Sequence, residues 1–225
     1  MNTLSPAEII GRAFRIYRDQ IGVLLPAALV VFAINAVVGW VFDHGLLSLV
    51  AAVVSLVLAI LYDGMVVQLV RDVQDGRRDS SVGELFSSVS PVLVPLIGVS
   101  ILGGIGIGIG FVLCIVPGLF LLTFWSVVAP VTVIERPGVF SAFGRSWELV
   151  RDHAWTVFGT IVLVFLLVVA ASIAAALIGV AIGDVGRAIL SWIFNALTQP
   201  VAALTTSGLY FTLLEMRSAP ETPQA

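Results

Sequence analysis

The chain has 225 residues, 59% hydrophobic and 11% charged, with a formal net charge of -3. Soluble domains carry about 25% charged residues, so this composition excludes an ordinary water-soluble globule. All 11 basic residues are arginines, dispersed along the chain, which excludes the concentrated basic patch that binds nucleic acid.

The chain opens on an amphipathic stretch. Ser5-Pro6-Ala7-Glu8 reads as a capping box, the serine accepting from the third helical amide and the glutamate reaching back, with Pro6 at the first helical position. Behind it Ile10, Ala13, Phe14 and Tyr17 share one helical face, opposite Glu8, Arg12, Arg15 and Asp19. Glu8 with Arg12 and Arg15 with Asp19 are favourable pairs one turn apart. Aromatics on one face and arginines on the other suit a helix lying among lipid headgroups, with Arg12 and Arg15 toward phosphate.

A first span follows from roughly Ile21 to Phe42. The 23 uncharged residues from Gln20 to Phe42 are longer than a signal-peptide core and end in Asp43-His44, so the span is expected to be retained. The turn Asp43-His44-Gly45 leads to a second span, roughly Leu46 to Val70, which carries Asp63 eight positions before Arg71. At a rise of about 1.5 Å per residue, Asp63 lies about 12 Å inside, unless Tyr62-Asp63-Gly64 marks a helix break nearer the surface. An intramembrane carboxyl is a functional hypothesis by default.

Ser81-Val82-Gly83-Glu84 reads as a second capping box. After Glu84 come fifty residues without a charge, up to Glu135. Val116-Pro117-Gly118 divides them into spans of roughly Val92 to Ile115 and Leu119 to Ile134, or into the arms of a re-entrant hairpin. The first arm carries Gly104, Gly106, Gly108 and Gly110, two overlapping GxxxG pairs that bare a helix for close packing, line a cavity or mediate self-association. Cys114, the single cysteine, has no partner for an intramolecular disulfide.

A further amphipathic segment places Phe140, Phe143, Trp147 and Val150 opposite Ser141, Arg145, Glu148 and Asp152, so Trp147 faces acyl chains and Arg145 and Arg151 face headgroups. Spans five and six follow, roughly Trp155 to Ile182 and Ala188 to Leu214, separated by Gly183-Asp184-Val185-Gly186-Arg187. In span six Asn195, Gln199, Ala202 and Thr206 form a polar stripe, and Pro200 frees the carbonyl near residue 196. With Asn35 and Asp63 this stripe defines a candidate polar cavity, or else it bonds helices together.

Six spans put both termini on the side that holds ten of the eleven arginines, all but Arg187. The positive-inside rule makes that side the cytoplasm, and the absence of Lys with abundant Ala, Val and Gly suits a GC-rich bacterial genome. Gly11 to Gln20 aligns without gaps to Gly144 to His153, each copy preceding a pair of spans, and Gly64 to Val70 pairs with Gly208 to Leu214. The expected fold is all-α: a bundle of six spans, three repeats of interfacial helix plus hairpin, in one domain over residues 1–217 with a disordered tail at 218–225.

Gly118 to Arg136 and Ala142 to Arg151, with the opening Gly11-Arg12-Ala13-Phe14-Arg15-Ile16-Tyr17-Arg18 and the ending near Tyr210 to Arg217, together resemble a bacterial membrane domain. That domain is found fused to some glycerophosphoryl diester phosphodiesterases and also stands alone. The resemblance implies no settled activity, since the family's catalysis belongs to a separate soluble barrel. No cofactor or metal site is expected: His44 and His153 fall on opposite sides of the membrane, and Asp72, Asp75 and Asp79 lie on a solvated segment. The expected function is therefore a non-enzymatic scaffold or lipid-interacting module of the bacterial inner membrane, whose partners are lipids, other membrane proteins or a second copy. The competing expectation is a transporter of a small solute, ion or lipid through the Asn35, Asp63, Asn195 and Gln199 cavity; a membrane-embedded enzyme lacks paired catalytic groups.

Overall fold

The computed structural model describes residues 5–42, 47–76, 82–180 and 183–218, with a few side chains inside them, Asn195 among these, outside the description. Every regular element among the described residues is helical: α1 (Pro6–Asp19), α2 (Ile21–Val41), α3 (Leu47–Gln74), α4 (Val82–Val89), α5 (Leu93–Leu113), α6 (Ile115–Phe124), α7 (Val128–Ile134), α8 (Val139–Val150), α9 (Ala154–Val180) and α10 (Gly183–Ser218). Among those residues five segments are long and apolar enough to cross a membrane: Ile21–Gly39, Ser48–Gln74, Val82–Leu113, Ile115–Ile134 and Val139–Gly179. A short amphipathic helix precedes each of α2, α5 and α9.

The packed core lies toward one end of the bundle. Along α3, Met65, Val66, Leu69 and Val70 are sealed, whereas Leu49 and Val53 are each about 60% exposed. α9 shows the same pattern, with Val157 buried and Phe165, Ile173 and Leu177 exposed. Exposed aliphatic side chains of this density fit hydrocarbon as their solvent, where the helical backbone satisfies its own polar groups.

Several boundaries depart from the sequence expectation. Ser5 is the N-cap of α1 and Pro6 opens the helix, but the serine side chain makes no capping bond; its carbonyl accepts from Glu8 and Ile9 instead. Ser81, the matching cap, lies outside the described residues, as do Asp43-His44-Gly45 and 219–225 of the expected tail. The five residues expected as a loop from Gly183 to Arg187 belong to α10.

The fourth span is not one helix. α6 and α7 have 10 and 7 residues, parted by a turn at Trp125 to Val127. The hairpin bend falls at Cys114, whose backbone is extended at φ -172 and ψ 159, rather than at Val116-Pro117-Gly118. Pro117 then sits at the third position of α6, where a missing N-H costs nothing because no carbonyl precedes it in the helix.

In both amphipathic helices the protein-facing side is set off from the aromatic residues. In α1 the buried residues are Ile9 and Ala13, while Phe14 is 42% exposed. In α8 they are Ala142, Ser146, Leu149 and Val150, with Phe140 81% and Trp147 38% exposed. Helices resting on a protein core turn their small residues inward for close approach, and the aromatics move to the flank that meets lipid. Ala13 and Ser146, aligned in the sequence repeat, are both buried. The aligned glycines differ: a Cβ on Gly64 would lie 2.7 Å from Val89 Cγ1, while Gly208 has nothing within 4 Å.

Candidate functional site

A polar network ties α7, α8 and α10 together at the packed end. Arg145 Nε donates to Glu135 Oε2 at 2.8 Å and Oε1 at 3.2 Å, and Tyr210 donates its hydroxyl to Oε1 at 3.0 Å. Arg145 Nη1 reaches Glu148 at 3.4 Å, and Arg217 lies 4.0 Å from the same carboxylate. Arg145 is thus engaged by two carboxylates. Sequence reading missed Glu135 and Tyr210; the available signal was that Glu135 is the charge that ends the fifty-residue run.

Arg12 lies 3.8 Å from Glu215, and Arg151 lies 3.5 Å from its neighbour Asp152, both on exposed surface. Arg15 is exposed, with no ion pair among the described residues. Burial of the Tyr17 hydroxyl of α1, without a hydrogen-bond partner among the described residues, holds its pKa above the ordinary 10.0.

The break between α6 and α7 is sealed from α8. At the break Val128 N donates to Trp125 O, one residue short of the α-helical acceptor, which leaves the Phe124 carbonyl free. The buried Ser146 hydroxyl donates to that carbonyl at 2.7 Å. A backbone group freed away from water must find such a partner. Beside it Trp147 stacks on Phe124 with centroids 4.1 Å apart, and Phe120 meets the indole edge at 5.4 Å. Outside this stack runs an apolar groove of about 360 Å³, walled by α6 (Val116, Leu119, Phe120) and the first residues of α9 (Ala154, Trp155, Phe158).

Of the six glycines of α5, the four in the GxxxG pairs divide in two. A Cβ on Gly106 would lie 2.5 Å from the Trp125 ring, and one on Gly110 would meet the Gly118 and Pro117 backbone at 3.0 to 3.2 Å. Gly104 and Gly108 have nothing within 4 Å. Only the Gly106/Gly110 pair therefore serves packing inside the hairpin.

A second cavity, of about 150 Å³, lies where α3, α7 and α10 meet. Asp63 and Gln199 both line it, with Val67, Ala129, Pro130, Ala202, Ala203 and Thr206. Asn35 is not among its lining residues; its Oδ1 is buried without a partner among the described residues. The Asn195 side chain lies outside the described residues. The cavity thus joins Asp63 of α3 to Gln199 and Thr206 of the polar stripe of α10. No group of three or more metal-ligating side chains occurs among the described residues.

The apolar helices, the lipid-suited exposed surface and the self-satisfied backbone define a multi-pass membrane protein. The chain is similar to a UPF0259 membrane protein of Pectobacterium carotovorum, 27% identical over 164 residues, covering 73% of this chain and 64% of that protein. The relationship sets it beside a family of bacterial membrane proteins and brings in no glycerophosphoryl diester phosphodiesterase. No protein-family model and no solved structure matches the chain.

Proposed function

We propose that the protein is a non-enzymatic, lipid-interacting module of the bacterial inner membrane, with both termini cytoplasmic. The observation that carries this reading is the aromatic groove between α6 and α9. It shares one end of the molecule with the amphipathic helices α1 and α8, and the exposed Arg151 precedes α9 by three residues. Trp155, 86% exposed in the first turn of α9, has the amphipathic ring that settles at headgroup depth. An acyl chain in the groove with its phosphate near Arg151 suits this arrangement, and a second copy or another membrane protein fits the same exposed flank.

The groove also bears on topology. Val116, at the start of α6, shares it with the first five residues of α9, whose other end lies about 40 Å away. That supports a re-entrant α5–α6 hairpin held in the cytoplasmic leaflet, with α2, α3, α9 and α10 as the crossing helices. The side chains of the exposed tip, Val112, Leu113, Ile115 and Val116, are all apolar, while the backbone groups left free where α5 ends and α6 begins need polar partners, which suits a tip at headgroup depth beside Trp155. The order of elements supports a duplicated unit of amphipathic helix plus helical hairpin.

Native mass spectrometry of the purified protein tests the lipid reading. Wild type is expected to retain phospholipid through delipidation, and Phe120→Ala with Phe158→Ala to retain less while keeping the fold. Equal retention by both would overturn it.

A second reading, transport of a small polar solute or ion, is favoured by the convergence of Asp63 and Gln199 on one cavity. Flux into proteoliposomes by wild type but not by Asp63→Asn would support it; equal flux would remove it.

A further inference from the structure

We propose that the cavity between α3, α7 and α10 is a binding site for a monovalent metal cation, with Asp63 as its charged ligand; this rests on the second reading above. Asp63 lines the cavity and makes no hydrogen bond or ion pair among the described residues. No Arg or His lines the cavity with it. A carboxylate in hydrocarbon without a basic partner is costly, so the site favours whatever brings a positive charge to it.

The other groups around the cavity are neutral oxygen donors. Gln199 offers an amide oxygen and Thr206 a hydroxyl whose proton goes to the Ala202 and Ala203 carbonyls, at 3.3 and 3.0 Å, leaving its lone pairs free to face the cavity. Pro200 inside α10 has no N-H, so the Ala196 carbonyl loses its helical donor. Ala196, Gln199, Ala203 and Thr206 follow one another at spacings of three and four, which puts them on one stripe of the helix. A proton needs one acceptor; a carboxylate, an amide and a hydroxyl around one cavity, with room for waters, match a hard cation, which takes several oxygens.

The charge of that cation follows from the count of carboxylates. Asp63 is the one acid lining the cavity, so a single positive charge is balanced. Divalent calcium and magnesium are held by more carboxylates or by phosphates. A volume of about 150 Å³ leaves room for the ion and a few waters at roughly 30 Å³ each. Interrupted transmembrane helices supply this kind of site elsewhere, and here the break before α7 lies beside the cavity.

The test is thermal unfolding of the purified full chain in detergent, in sodium, potassium or choline chloride at equal ionic strength. Sodium or potassium, at about ten times its dissociation constant, is expected to raise Tm by roughly 3–6 °C over choline. That shift is expected to disappear in Asp63→Asn and to weaken in Gln199→Leu. Should Asp63→Asn fail to fold, the wild-type comparison and Gln199→Leu still decide. Identical Tm in all three salts, or a shift that responds to pH and not to the cation, overturns the proposal. Because this reads binding alone, a cation effect without flux removes the transport reading and keeps the site, and flux of another solute without a cation effect does the reverse.

Discussion

Replacing Glu135 with alanine is expected to destabilise the protein more than any other single change of a charged residue, by roughly 2–3 kcal/mol. Its carboxylate accepts from Arg145 at 2.8 and 3.2 Å and from Tyr210 at 3.0 Å, joining three helices through one residue. Charge-assisted bonds of this kind contribute about 1.5–3 kcal/mol each when buried. Side-chain exposures of 26% for Glu135 and 29% for Arg145 reduce that through solvent screening. Arg145 would retain Glu148, but the Tyr210 hydroxyl would lose its acceptor. Glu135→Gln keeps an acceptor without the charge and should fall between. Arg15→Ala, on exposed surface, should change stability by no more than about 0.5 kcal/mol. Unfolding that gives Glu135→Ala the same stability as Arg15→Ala would show that the network does not hold α7, α8 and α10.

The second large effect divides the glycines of α5. Gly110→Val would drive a side chain into the backbone of Gly118 and Pro117, which has no rotamer with which to yield. Overpacking costs about 1–3 kcal/mol even where side chains can move, so this substitution should reach the upper end of that range. Gly106→Val meets the Trp125 ring and should cost less, because an indole can shift. Gly104→Val and Gly108→Val enter open space and should lie within about 0.5 kcal/mol of wild type. A loss of self-association confined to Gly104→Val and Gly108→Val would instead assign that face to a second copy. Equal destabilisation at all four positions would contradict the hairpin packing.

These effects mark where the sequence was legible. The ends of α2, α3 and α9 fall within a few residues of the limits read from charge-free runs, because hydrocarbon excludes charge and a span's limits are written as charged residues. Asp63 and Gln199 could be brought together because an isolated polar group in an apolar segment must face a partner or water. What was not legible depends on which helix packs against which. The division of span four into α6 and α7 is stabilised by Ser146 at a distance of 22 residues, and Pro130, the third residue of α7, is its local signal. Cys114 became the bend because Pro117 can begin a helix as well as end one. Which side of α1 and α8 meets protein was not legible either, because hydrophobicity alone does not separate it from the side that meets lipid; side-chain size does, through Ala13, Ala142 and Ser146.

The arrangement of the chain in the membrane underlies both the lipid reading and the cavity reading, and cysteine labelling in intact cells tests it most directly. In a Cys114→Ala background, Asp75→Cys and Ser141→Cys are expected to react with a membrane-impermeant maleimide only after the cells are opened, and Asp184→Cys to react without opening. In the wild type, Cys114 at the hairpin tip is expected to stay unreactive in intact cells, because a re-entrant tip returns to the cytoplasmic face. Labelling of position 75 in intact cells would contradict the orientation, and labelling of Cys114 in intact cells would show that the α5–α6 hairpin crosses to the far side.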